Sequence, residues 1–198
     1  MEPRRQADRS GATRAALLTA ARSLFTDRGF AETSTEEIVR VAGVTRGALY
    51  HHFRDKEDLF RAVVEEIEQE LAERAATAVA AQSSLREGLR AGCAAFLDAC
   101  LEPDVQRIVL TDGLSVLGVD AWREIDERYA LGLVVAGLEG AIAEGVIEPQ
   151  PSQPLAQMLL GALTEGALLI ARSDDVTRTR AEVGAIVDRL LAGLEKRA

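Results

Sequence analysis

Residues 33–59 read TSTEEIVRVAGVTRGALYHHFRDKEDL, and no other stretch narrows the fold as much. Ser34, followed three positions on by Glu37, is a capping-box signature: Ser34 accepts from the Glu37 N–H while Glu37 reaches back. It opens a helix that turns Ile38, Val41 and Ala42 inward. Gly43 supplies a turn, and Thr45 caps a third helix of about two turns, with Val44 and Leu49 at hydrophobic-staple spacing. Asp55 then starts a long fourth helix. Two short capped helices around a glycine turn have helix-turn-helix spacing. Leu49 and Phe53, at i and i+4, anchor one face of the third helix, which leaves Arg46, Gly47, Ala48, Tyr50, His51 and His52 crowding its start and outer side.

The remaining sequence carries helix signals almost everywhere and no strand alternation. A first helix over about 13–27 stacks Leu17, Ala20, Ala21, Leu24 and Phe25 on one face, with Gly29 suited to its C-terminal cap. The fourth helix buries Leu59, Phe60, Val63, Val64, Ile67 and Leu71 and leaves Glu65, Glu66, Glu68 and Glu70 to solvent. A fifth starts at Ser84, boxed by Glu87, and ends before Pro103. Further helices are expected from Asp104 to near Gly113, over about 120–144, over about 152–172, and over 179–194, the last opened by a Thr179–Glu182 box. The expected fold is all-α with about nine helices: an N-terminal arm and helix-turn-helix domain over 1–54, joined by the long fourth helix to a helical body over 55–198.

A net charge of −9 and a pI near 4.9 argue at first against a nucleic-acid partner. The distribution reverses that, since residues 1–54 carry nine Arg against six acidic groups, whereas 55–198 carry 14 basic and 26 acidic groups. Arg4, Arg5 and Arg9 fall in an N-terminal arm expected to lack structure, either adding nonspecific attraction or forming a solvated tail. Prolines and glutamines interrupt the long uncharged stretch 149–164, and the short apolar run 15–21 ends in Arg22 without a cleavage site, so neither a membrane span nor secretion is expected and the chain reads as cytoplasmic. Cys93 and Cys100, two turns apart on one helix, are too far apart for a disulfide and read as reduced core residues. Only two histidines occur, His51 and His52, and as helix neighbours they diverge by about 100°, so they form no compact metal pair. With no GxSxG, HExxH or phosphate loop, neither catalysis nor a cofactor is indicated.

In residues 13–60 the chain resembles the TetR family of one-component transcriptional regulators, matching its motif at Thr35, Ile38, Ala42-Gly43-Val44-Thr45, Gly47, Leu49-Tyr50, His52-Phe53, Lys56 and Leu59. The resemblance implies a DNA-binding role for Thr35, Thr45, Arg46, Gly47, Ala48, Tyr50, His51, His52 and Lys56. Arg46 stands where the family reads bases, and its fork suits guanine O6 and N7; the alternative is a merely solvated cation. A bare glycine inside a helix admits close DNA approach or answers a packing constraint. The family sets the ring matching Tyr50 against the sugar-phosphate backbone or a thymine methyl, and by the same resemblance His51 faces base edges and His52 a phosphate. Thr35 and Lys56 stand at helix starts where phosphates bind, or serve the helix start alone.

The eighth and ninth helices carry more apolar surface than one packing face needs: Leu155, Met158, Leu159, Leu163, Leu169 and Ile170 on one, Val183, Ile186, Val187, Leu190, Leu191 and Leu194 on the other. By resemblance these helices pair with their symmetry mates in a homodimer, with Gly161, Ala162 and Gly166 permitting close approach; the alternative is that these faces serve the intramolecular core alone. Trp122, Asp126 and Tyr129 share one face of the seventh helix, a candidate lining for an effector pocket with Phe60, Phe96, Cys100 and Met158, or a plain core anchor. The expected function is a ligand-responsive repressor, released from a palindromic DNA operator by a hydrophobic or amphipathic small molecule. A constitutive architectural DNA-binding protein and a small helical enzyme are the alternatives.

Overall fold

Helix α1 (Glu2–Glu32) buries Leu17, Leu18, Ala21, Leu24 and Phe25, and it breaks at Gly29, whose φ of +81° suits a residue without Cβ. The computed structural model describes the backbone of residues 2–196 and the side chains of residues 10–125 and 127–196. Against the sequence expectation of an unstructured arm, the helix begins at Glu2, where Pro3 sits in the first turn and needs no N–H partner. The side chains of Arg4, Arg5 and Arg9 lie outside the described residues.

Three caps then set the helix-turn-helix. Ser34 opens α2 (Thr35–Ala42) by accepting from the Glu37 N–H at 3.2 Å, Thr45 opens α3 (Arg46–His52) by accepting from the Ala48 N–H at 3.2 Å, and Asp55 opens α4 (Lys56–Ala80) by accepting from the Asp58 N–H at 2.8 Å. Glu37 does not complete the expected box: its carboxylate takes the Arg28 guanidinium at 2.6 Å, a charged donor that outcompetes a backbone N–H. Between α2 and α3, Gly43 adopts φ +67° and ψ 29°, a left-handed cap that returns N–H groups to the carbonyls of Val39 and Arg40.

The body comprises α5 (Leu85–Ala99), a π-helical segment Val105–Gly113, α6 (Leu114–Asp126), a second π-helical segment Glu127–Leu131, α7 (Gly132–Ala143), α8 (Ser152–Ala171) and α9 (Val176–Leu194). The expected stop near Gly113 falls at Gly118 instead, at φ +77°. Gly113 is a packing glycine, because a Cβ there would stand 2.6 Å from the Trp122 ring. Helix α9 starts before the expected Thr179, since Asp175 accepts from the Arg178 N–H at 3.1 Å. Thr179 instead shares a hydrogen bond with Ser173, and Glu182 pairs with Arg178.

One apolar cluster runs from α1, α2 and α3 through Leu59, Phe60, Val63, Val64, Ile67 and Leu71 of α4 to Ile108 and Ile125 of the body. Helix α4 therefore belongs to both halves. Glu68, expected on its solvated side, is only 8 % exposed, because α4 packs against α5, α6 and both π-helical segments of the body. By length and composition alone, helix α8 is long and apolar enough to span a bilayer, as the core helix of a packed domain can also be. Its buried residues, among them Leu159, Leu163 and Ile170, pack against α5 and α9 within the chain.

Candidate nucleic-acid interface

Burial of Leu49 and Phe53 orients α3, so that Arg46, Gly47, Tyr50 and His51 lie on the open side. Arg46 holds Glu36 of α2 at 3.0 Å and lies 5.5 Å over the Tyr50 ring, and Tyr50 and then Glu36 make its guanidinium more basic. Tyr50 is 44 % exposed. A Cβ at Gly47 would meet only the Thr45 hydroxyl at 3.9 Å, so packing within the chain does not account for a glycine there. Ala48 is half-buried and its N–H is taken by Thr45. His51 and His52 stack edge to face at 5.2 Å, and no cluster of three or more metal-binding side chains occurs among the described residues.

Thr35 and Lys56 occupy different environments. Thr35 is the first residue of α2 and donates to Glu36 at 3.3 Å. The Lys56 ammonium donates to the carbonyls of Phe30 at 2.8 Å and Thr33 at 2.9 Å and lies 4.1 Å over the Phe30 ring. Two of its three N–H groups thus tie the end of α1 and the residue after it to the start of α4. The sequence did not single out Glu36; its place in the first turn of α2 is compatible with any solvated helix start.

The second site lies within the body. A cavity of about 230 Å³ opens between α4, α5, α7 and α8, lined by Glu68, Leu71, Val79, Leu89, Leu133 and Leu163 among others. Of the described residues proposed from sequence as pocket lining, Phe96 alone lines it. Phe60 is fully buried against Phe25 and Phe30, with ring centroids 5.2 and 5.1 Å away, Cys100 is closed into the same core, and Met158 is 76 % exposed on the outer face of α8. Trp122 and Tyr129 pack against that core beside α4, and the Asp126 side chain lies outside the described residues. Cys93 does line the cavity, and burial, with Asp188 nearby, pushes its thiol up to about 11, so it stays protonated at neutral pH. Burial, with Glu68 nearby, pushes Cys100 up to about 12.

A capped helix-turn-helix with an open reading helix, carried on a helical body with its own cavity, defines a DNA-binding transcriptional regulator. Residues 17–63 match the family described as bacterial regulatory proteins, tetR family, and residues 86–194 match the tetracyclin repressor-like C-terminal domain. The chain belongs to the TetR family of transcriptional regulators. A crystal structure of a TetR-family regulator from Pectobacterium atrosepticum has 38% sequence identity and a TM-score of 0.84, covering 96% of this chain and 97% of that one. The HTH-type transcriptional repressor BepR of Brucella suis is 44% identical over 61 residues, 31% of this chain and 29% of BepR, so this likeness is confined to less than a third of that relative's length. The regulator UidR of Escherichia coli K12 is 26% identical over 194 residues, covering 88% of this chain and 93% of UidR.

Proposed function

We propose that the protein is a ligand-responsive repressor that binds a palindromic DNA operator as a two-fold dimer through α8 and α9. The observation that carries it is the outer face of α3, where Gly47 has no packing reason to be glycine and stands beside the exposed Arg46, Tyr50 and His51. Close backbone approach to a duplex accounts for that glycine. The dimer reading rests on the apolar residues that intramolecular packing leaves outside: Met158 and Leu169 on α8, Ile186 and Leu190 on α9, each about half exposed or more. Gly161 and Ala162 lie on that open side, whereas Gly166 is used within the chain, where a Cβ would stand 2.7 Å from Val183.

The effector reading rests on the cavity. Its nearly continuous apolar wall suits a hydrophobic or amphipathic small molecule, and α4, which forms part of that wall, also carries the reading helices at its other end. Release from DNA follows only if the ligand binds the released arrangement more tightly than the DNA-bound one. Selection of genomic fragments with the purified protein, followed by footprinting, is expected to recover an inexact palindrome with half-sites about one DNA turn apart. Compounds that release the fragment should lose their effect in Leu133→Trp, which fills the cavity. No enriched sequence, or release unaffected by that substitution, would overturn the respective half of the proposal.

A further inference from the structure

Arg46 reaches its place on the open face of α3 already paired. Its Nη1 lies 3.0 Å from Glu36 Oε1, and the second carboxylate oxygen of Glu36 accepts from Thr35 Oγ1 at 3.3 Å. Both partners of the ion pair are exposed, with side-chain accessibilities of 64% for Arg46 and 62% for Glu36. The pair therefore sets a negative charge on the surface that the regulator reading turns toward a polyanion. Near a phosphate that charge is unfavourable, and it masks the guanidinium from nonspecific contact.

Resting on that DNA-binding reading, we propose that Glu36 is a specificity-determining residue: it holds the Arg46 fork and releases it only to a G·C base pair. The chemistry of the major groove supports this choice. Guanine presents O6 and N7, two acceptors that replace the carboxylate at the guanidinium, and the paired cytosine presents its N4 amino group, a donor that the freed carboxylate can accept from. An A·T pair offers the guanidinium one acceptor beside a donor, and a phosphate offers the carboxylate nothing. Side by side, Arg46 and Glu36 thus match the order of acceptors and donor along one G·C edge. Stacking of the guanidinium over Tyr50 at 5.5 Å holds the fork from a second direction.

The test compares wild type with Glu36→Gln on the selected duplex, on the same duplex with the contacted G·C pair replaced by A·T, and on a random duplex, each over a salt series. Gln keeps the shape and an acceptor for Arg46 but removes the charge. Random-duplex affinity is expected to rise roughly eightfold at 0.1 M salt, with the log–log salt slope steeper by about 0.9, as for one added phosphate contact. Cognate affinity should rise less, so the preference for G·C over A·T falls, by up to about eightfold. Equal shifts on all three duplexes, or an unchanged slope, would overturn the role of Glu36 while leaving the regulator reading intact. Failure of the wild type to prefer any duplex would overturn both.

Discussion

A methyl group at Gly47 would touch only the Thr45 hydroxyl, so Gly47→Ala is expected to leave the fold intact and to raise unfolding stability by up to about 1 kcal/mol, while DNA affinity falls. Urea unfolding and duplex titration on the same preparation check the two signs; a variant that binds DNA like wild type would remove the case for close approach. Arg46→Ala is expected to weaken the selected duplex about ten- to hundredfold and random DNA far less, as loss of a base contact should. Lys56 predicts differently from a simple phosphate contact. Lys56→Met keeps the stem over Phe30 but loses the bonds to Phe30 O and Thr33 O, so stability should fall by about 1–3 kcal/mol. A salt slope flattened by about one unit at unchanged stability would instead make it a phosphate ligand.

At the scale of elements, α1 is tied to α4 and to the start of the π-helical segment by one guanidinium. Arg22 donates to both Glu70 oxygens at 2.7 and 2.8 Å and to Asp104 at 2.9 Å. The Arg22 hydrogen bonds hold the Glu70 carboxyl below the usual glutamate range. A depressed carboxyl contributes stability above its unfolded value, near pH 4.3, and that contribution disappears as pH falls through the folded value. Wild-type stability should therefore drop between about pH 5 and pH 3, and Glu70→Gln, less stable at pH 7, should show a shallower drop. Urea midpoints across that range decide it; parallel profiles would show that the tie does not stabilise the folded state. A second element-scale expectation concerns the packing of α6. Gly113→Ala would push a methyl into the Trp122 ring, and a loss of about 1–3 kcal/mol is expected, read as a shift in the urea midpoint.

For the whole molecule, the proposed dimer turns on the outer side of α8 and α9. Ile186 and Leu190, both about half exposed, stand one turn apart on α9. Leu190→Glu is expected to yield a folded monomer in sedimentation and to lose most operator affinity, because one reading helix per molecule then finds one half-site. A dimer surviving that charge would move the interface elsewhere. The distribution of charge acts at this scale too, since a positive N-terminal region on a negative body favours one orientation toward DNA.

The sequence by itself determined the all-α architecture, the caps at Ser34, Thr45 and Asp55, the reading helix and the buried stripe of α4. These follow from interactions a few residues apart, where a cap and its N–H or an i, i+4 pair are brought together by the helix itself. Tertiary structure decided what the same patterns leave open. Phe60, Cys100 and Met158 are equally apolar in sequence, yet two enter the core and one faces out. Glu68 is one acidic residue among several on α4 until the packed helices of the body cover it, and Lys56 is a helix-start cation until the carbonyls of Phe30 and Thr33 arrive from α1 and the loop after it. Which side of an amphipathic helix meets a cavity, a neighbour or solvent is set by contacts between residues distant in sequence, and local periodicity carries no record of them.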